Sequence, residues 1–580
     1  MAERKKQWFF YLFESAGIQQ YIFDGGKLAE MVGASELLEL LLASDGPLDQ
    51  ALNELGLTEE SDYFFSRRGG GGFGLFFLSK SEANIFRRLW RLIVPGYIPG
   101  LEFQDALEVG GDQCLAFARA RETLHGMKQL PPCSLPEAGP LVIRAPRTGR
   151  PAVRLRPESV GKQVWVDAAS DAKLGPDSSN QKRERELLKG KRINLETKFL
   201  PNASQTAESD GRLYRFPRNL ESDVEDDRYG MAFPFNSRLG EGGKEHTVVG
   251  VIHADGNGLG QILMKLEAAF HKGDGFADAM YEFSQGIELA TVNAVKVAME
   301  KVILKHAFGE KYVLPIRPLI LGGDDLTVIV RADLAMDFCQ TYLKEFEDQT
   351  EKVFSSFRGA LAGALKSENI TKMSACAGIA YIRASQPFYL GYGLCESLCK
   401  HAKQTSKRVS SDRYAPPASL AFYKVKSTFI DKYTDLVERE MRMVHENGDK
   451  FQLTLGAYGV NGQGSLPQID DLKLVETLFR KREMARGPGR HLQTLLYSDL
   501  YETERVWNAW RNNMKTSTLF SNELINFDQI ANRLITGFGT GGLPFGPQDG
   551  AKLRKSFLGD LYGMMASNRE TINQEVLQNE

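Results

Sequence analysis

Cysteine is scarce in this chain: there are six in 580 residues, and no two stand in a CxxC spacing. That excludes a disulfide framework read from spacing, removes the usual signature of a zinc module, and points to a reducing cytoplasm. No run of about 18 apolar residues occurs, so no membrane helix is expected. The opening MAERKKQWFFYLFES has a basic patch, but its apolar run is short and ends at Glu14, so no signal peptide is expected. Neither charge dominates: 72 basic and 74 acidic residues give a formal net charge of −2, which creates no global field toward nucleic acid or anionic lipid.

What is present is organised in repeats of strand and helix. The first segment, residues 1–130, reads as strand (Trp8–Ser15), helix (Lys27–Ala43), a glycine-centred hairpin (Asp62–Leu78) and a further helix. Residues 131–235 lose hydrophobic periodicity and read as an irregular insertion, with a basic run at Lys182–Arg192 and an acidic one at Glu221–Asp227. Order resumes in residues 236–415. There a buried strand (His246–Ala254) leads into the turn DGNGLG and a helix from near Leu259. A long amphipathic helix (Phe276–His306), a hairpin (Leu319–Val330), a helix over Asp333–Ser355 with Asp333 as N-cap, a strand (Met373–Ala384) and a basic-ended helix follow. The order β-α-α-β-β-α-β-α makes the first segment a shortened copy of this one. Residues 416–580 read as a helical C-terminal domain, fraying over the last ten residues. The fold class is α+β, with helices on one face of antiparallel sheets.

The hairpin PLILGGDDLTVIV carries the chemistry. A tight turn needs glycine, but it does not need Asp324 and Asp325 side by side. Asp255 ends the preceding strand, 69 residues before Asp324, a gap that two helices and a return strand fill. If the two strands are neighbours, three carboxylates converge on one sheet edge. Such a set suits Mg²⁺ or Mn²⁺, which take oxygen ligands and leave room for substrate phosphates. Gly256, Gly258, Gly322 and Gly323 would let a triphosphate approach the backbone. The helix after DGNGLG would turn its positive end to phosphate. Lys403 is a candidate for the triphosphate tail, and Arg408 a weaker one. Each motif alone is a common surface turn; their pairing after strand-like runs is what raises them above that.

Together these residues resemble a known family, the large polymerase-like subunit of type III CRISPR effector complexes, with two palm domains related to GGDEF-type cyclases. The match runs over Trp8–Arg408 and rests on GIQQYIFDGGKLAEMVGASELL, VIHADGNGLG, LGGDD and SACAGIAYI…HAK. The resemblance implies two ferredoxin-like palms, the first non-catalytic and the second catalytic. It implies that the second palm joins ATP through 3′–5′ links into cyclic oligoadenylates, antiviral second messengers. It also implies guide RNA, target RNA and other effector subunits as partners. Departures are visible. No His-Asp dipeptide occurs, so the family's nuclease domain is not expected. Near its zinc module only Cys133 remains, beside an Arg147–Val153 stretch without cysteines, so no zinc is expected. Asn257 stands where members often carry a carboxylate; its carbonyl can ligate but brings no charge.

The plainer readings stand beside these. Arg67 and Arg68 precede four glycines and could face phosphates, though a solvated hairpin tip is the simpler expectation. Cys395 and Cys399 share a helix face and read as core. His253 either flanks the site or is a satisfied core histidine. The basic run Lys182–Arg192 either touches RNA or is a solvated helix face. Two other functions remain open from sequence: a cyclase for a different cyclic dinucleotide, and a non-catalytic scaffold subunit of a ribonucleoprotein defence complex.

Overall fold

The computed structural model describes residues 7–129, 139–159, 162–175, 195–201, 214–217, 233–234, 248–271, 275–308, 312–426, 432–445, 448–462, 465–480, 500–516, 521–540, 542–549 and 552–567. The first unit runs β1 (Trp8–Ala16), α1 (Ile18–Phe23), α2 (Leu28–Leu42), α3 (Pro47–Glu54), β2 (Tyr63–Gly69), β3 (Gly72–Phe77), α4 (Lys80–Tyr97), β4 (Glu102–Gly110) and α5 (Gln113–Met127). The four strands form one antiparallel sheet in the order β2-β3-β1-β4, the ferredoxin-like arrangement. Local chemistry sets its helix starts. Ser79 accepts from the Glu82 amide at the head of α4, and Asp112 accepts from the Leu115 amide at the head of α5.

The insertion is less irregular than its composition suggests. It contains an antiparallel pair, β5 (Ala152–Ser159) and β6 (Lys162–Asp167), then α6 (Ala168–Leu174) and α7 (Leu195–Phe199). Polar bonds dock it on the first unit. The Lys173 ammonium donates to the Tyr21 carbonyl at 2.5 Å, and Arg147 pairs with the buried Glu30 at 2.6 Å. Arg147 and Lys173 of the insertion are therefore internal ties. Cys133 and the runs Lys182–Arg192 and Glu221–Asp227 lie outside the described residues.

The second unit repeats the first. Its elements are β7 (Val248–Gly256), α8 (Leu259–Ala269), α9 (Phe276–Ala298), β8 (Ile316–Gly322), β9 (Asp325–Arg331), α10 (Ala332–Ser356), α11 (Gly359–Ser367), β10 (Ala375–Arg383) and α12 (Phe388–Val409). Helix α9 continues through a π turn and a 3₁₀ turn to His306, so the expected single long helix is present with a changed pitch at its end. The strand order β10-β7-β9-β8 is the first unit's order again. The likeness reaches single residues. The β2–β3 hairpin closes on Gly69 opposite Gly72, and the β8–β9 hairpin on Gly322 opposite Asp325. Three residues before each closing glycine, at Ser66 and at Leu319, the same strand bulges.

Asp333 is not the N-cap of α10. Arg331 holds that place, and Asp333 sits in the first turn, bonded to the Arg331 guanidinium through both carboxylate oxygens. Its charge still favours the positive end of the helix.

The second sheet does not stop at residue 415. It grows by β11 (Ser419–Lys424), parallel to β10. Beyond it come α13 (Tyr433–Leu436), β12 (Arg442–Val444), β13 (Lys450–Gln452) and β14 (Tyr458–Gly459), the last of which pairs with β11. Then follow α14 (Ile469–Arg480), α15 (Leu500–Thr516), α16 (Ser521–Leu534), β15 (Leu553–Lys555) and α17 (Leu558–Ser567). The C-terminal region is thus mostly helical, with a small β12-β13-β15 sheet. The two ferredoxin-like units pack through aromatic side chains of α9 on the first sheet, Phe65 against Tyr281 and Phe76 against Phe276. Among the described residues no helix is long and apolar enough to cross a membrane.

Candidate active site

Strand β7 is central, paired with β10 on one side and β9 on the other. Its register with β9 brings Ala254 opposite Leu326, so one step further Asp255 reaches the level of Asp325. The expected convergence occurs: Asp255, Asp324 and Asp325 each offer a carboxylate oxygen, and these oxygens lie within 4.8 Å of one another. Among the described residues this is the one group of three or more acidic, histidine or cysteine side chains close enough to share an ion. Like charges this close hold their protons. Burial, then the Asp255 charge, raise the Asp324 carboxyl above the ordinary range. Burial, then Asp324 and Asp255, raise Asp325, and the exposed Glu396 on α12 adds to the repulsion.

Lys403 projects from α12 into this group. Its ammonium donates to Asp255 Oδ2 and to the Gly256 carbonyl, both at 2.6 Å. Burial works against that charge, but the Asp255 carboxylate outweighs it and holds Lys403 above its usual value. Lys403 is thus the cluster's internal counter-ion. Arg408 lies further along α12, exposed, where its charge acts on His401.

The glycines have partners within the protein. A Cβ on Gly256 would lie 2.5 Å from Asp324 Oδ2, so only glycine admits that carboxylate beside β7. Gly258, at φ +79°, starts α8 against the Tyr414 backbone, where a side chain would collide. A Cβ on Gly322 would lie 2.9 Å from the Gly70 Cα, so the two hairpin tips touch backbone to backbone. Gly323, at φ +60°, alone of the four has open space beside its Cα.

Asn257 does not join the carboxylates. It is fully buried, and its amide nitrogen donates to Ser374 Oγ at 3.0 Å and approaches Cys376 Sγ at 3.2 Å. Its side chain ties the β7 turn to the start of β10, so the carbonyl-ligand expectation gives way to a structural one. His253 resolves as core: its ring meets Thr327 Oγ1 at 3.1 Å and the Tyr392 ring, and burial pushes it down to about 4, hence neutral. Cys395 and Cys399 are buried, their thiols directed at strand carbonyls.

The first unit carries a changed copy of the site. In hairpin register Gly71 and Gly72 occupy the places of Asp324 and Asp325, and Glu14, opposite Gly72, that of Asp255. Glu14 pairs with Lys128 at 2.6 Å, as Asp255 does with Lys403, each lysine following the strand at the far side. Arg67 supplies a second cation to Glu14, at 3.3 Å, and occupies the room a side chain on Gly72 would need. Two cations face one carboxylate there. Arg68, expected as a solvated tip, is instead pinned to the Leu42 and Ala43 carbonyls and to Asp49.

Residues 248–411 match the family model described as Cas10/Cmr2, second palm domain. Among solved structures, Csm1 in T. onnurineus is similar at 15% identity and a TM-score of 0.47, with 98% of this chain and 70% of that chain covered. A Csm1–Csm4 cassette in complex with cA3 is similar at 12% identity and a TM-score of 0.46, over 97% of this chain and 70% of that one. A Csm1–Csm4 cassette in complex with AMPPNP gives 15% identity and a TM-score of 0.44, over 98% of this chain and 71% of that one. No curated protein matches the chain. The matched span contains Asp255, Asp324, Asp325 and Lys403, so the sheet edge described above lies in the part of the chain that is similar to a Cas10/Cmr2 second palm domain.

Proposed function

We propose that the chain is a metal-dependent nucleotidyltransferase that joins ATP into cyclic oligoadenylate in CRISPR-type antiviral defence. The observation that carries this reading is the convergence of Asp255, Asp324 and Asp325 within 4.8 Å on the edge of a Cas10/Cmr2-type palm. The residues fit a hard divalent cation: three oxygen donors, two with carboxyls raised by burial and by the neighbouring carboxylates, and a glycine that makes room for one of them. Held by these three, Mg²⁺ or Mn²⁺ would supply positive charge to a triphosphate and acidify a hydroxyl.

The chain's own residues do the rest. Lys403 neutralises Asp255 in the absence of other cations, and its ammonium stands ready as a point charge for phosphate. Gly323 leaves the hairpin tip bare, so phosphate oxygens can approach the backbone. The first turn of α8 faces its positive end to the same edge. In the reaction the 3′ oxygen of one nucleotide bonds to the α-phosphorus of the next, the bond to pyrophosphate breaks, and the hydroxyl proton passes to water. Guide RNA, target RNA and other effector subunits belong to this reading as partners, and the cytoplasm as its compartment.

The test is incubation of the purified protein with ATP and Mn²⁺ or Mg²⁺, followed by mass spectrometry. Oligoadenylate made by the wild type and lost in Asp324→Ala/Asp325→Ala supports the reading. Product from another nucleotide alone would assign a different base. Absence of product with every nucleotide, target RNA and partner subunits present would favour a scaffold role, which the Asn257 side chain's absence from the cluster also suits.

A further inference from the structure

Helix α9 connects the two hairpin tips, and no part of the chemistry above uses it. Three of its side chains face them. Gln285 Nε2 donates to the Arg68 carbonyl at 3.4 Å, at the tip of the first palm. Glu288 lies beside Gly69 of the same tip, where a Cβ on that glycine would be 3.0 Å from the Glu288 carboxylate. Thr291, only 1% exposed, places its hydroxyl 2.6 Å from the Gly323 carbonyl. That carbonyl belongs to the peptide that leads into Asp324. The hydroxyl has one proton and a second acceptor, the Ile287 carbonyl at 2.9 Å; the shorter contact is the one to Gly323. The insertion fastens the same helix from outside. Lys198 of α7, 12% exposed, pairs with Glu288 at 2.8 Å and also with Glu39 on α2 of the first palm.

We infer that Thr291 is a positioning residue for the Asp324–Asp325 pair, and that α9, bolted by Lys198, sets that pair relative to the glycine tip of the first palm. Gly323 is at φ +60° with open space beside it, so its own packing does not restrain it. A side chain on Gly322 would meet only the equally bare Gly70. A hairpin tip of two glycines has the widest backbone freedom a turn can have. The two carboxylates behind it must nonetheless stay close enough to share an ion. Beyond the strand pairing that ends at Gly322 and Asp325, the tip is restrained by the Asp324 carboxylate's own backbone bonds, one of them from Gly256, and by the Thr291 hydroxyl on the adjacent carbonyl. A displacement of the first palm's tip would reach the carboxylates through Gly70 against Gly322 and through α9. The inference rests on the proposed reaction for its consequence but not for its geometry.

The test therefore has two readouts. In Thr291→Val, which keeps the shape and removes the hydroxyl, amide hydrogen exchange in the metal-free protein should rise about tenfold in the 319–327 segment. Thr291→Ser, which restores the hydroxyl, should return it to the wild-type rate. In turnover, Thr291→Val should lower kcat about tenfold with KM for ATP within about twofold, again rescued by serine. Lys198→Met should raise exchange in the same segment, whereas Lys198→Arg should not. Unchanged exchange in Thr291→Val overturns the inference, whatever the activity. Equal loosening in valine and serine variants also overturns it, because packing rather than the hydroxyl would then be responsible. A wild type that makes no oligonucleotide would overturn the proposed reaction, and the exchange readout would still decide the tether.

Discussion

Gly256 and Asp324 fit by subtraction: the carboxylate occupies the space that any side chain on the glycine would take, with Oδ2 2.5 Å from the missing Cβ. A site that depends on an absent atom makes a sharp prediction. Gly256→Ala should push Asp324 off the cluster while leaving β7, whose φ is ordinary at that position, paired as before. Mn²⁺ affinity, read by electron paramagnetic resonance, should fall about 10- to 100-fold. Affinity equal to that of the wild type would mean the ion sits elsewhere.

Proton release should accompany metal binding. Asp324 and Asp325 are raised by burial and mutual repulsion, so part of their carboxyl population is protonated in the metal-free fold. A cation must displace those protons, and its affinity should rise with pH. The sign for folding follows: an aspartate raised in the fold binds more protons there than when unfolded. The metal-free protein should therefore lose stability as pH rises from the ordinary carboxylate range through the folded value. Calorimetry in two buffers of different ionisation enthalpy measures the protons released. Zero release would contradict the arrangement.

Lys403→Met should make the protein more dependent on a divalent cation. The substitution removes the ammonium that bonds Asp255 and the Gly256 carbonyl and leaves three carboxylates facing one another. In thermal unfolding the metal-free variant should melt below the wild type, and saturating Mn²⁺ should raise the variant's Tm more than the wild type's. An equal increment in both would show that lysine and metal do not compete for Asp255.

Asp560 offers a test away from the site. It is buried at the head of α17, where its Oδ2 accepts from the Tyr458 hydroxyl at 2.5 Å and from the Leu455 amide at 2.9 Å. Burial pushes its carboxyl up to about 6, so its ionisation works against the fold. Wild-type stability should fall on the order of 2 kcal/mol between about pH 4 and pH 7 from this group. Asp560→Asn, uncharged throughout, should remove that slope in urea melts. Asp560→Ala should cost about 3 kcal/mol near pH 4 by leaving the hydroxyl and amide without an acceptor, and less by the wild-type slope near pH 7.

Much of this was legible in the order of residues. The β7 strand, the GGDD hairpin and the helices between them follow from period, glycine and length, and their succession places Asp255 near Asp324 without any coordinates. What was illegible has one cause, contact over long sequence distance. Gly256, Gly258 and Gly322 read as room for a triphosphate; their neighbours turn out to be Asp324, Tyr414 and Gly70. Asn257 reads as a carbonyl ligand because the family it resembles often carries a carboxylate there, but Ser374 takes its side chain. Arg68 reads as solvated because it precedes glycines, yet the end of α2 supplies two carbonyls to it. Thr291 gives no signal at all, since a threonine in a long amphipathic helix has no pattern that marks it. The lysine opposite each strand was half visible: Lys403 drew attention by its neighbours, and Lys128 did not.

The pairing of Glu14 with Lys128 and of Asp255 with Lys403 shows two copies of one unit joined in a single chain. In an assembly of two identical chains, every substitution appears twice, and a loss on one side is a loss on both. Here the copies mutate separately. The first carries Gly71 and Gly72 at the places of Asp324 and Asp325, with Arg67 in the room a side chain on Gly72 would need. Covalent linkage thus lets two related halves differ residue by residue, as no pair of identical chains can.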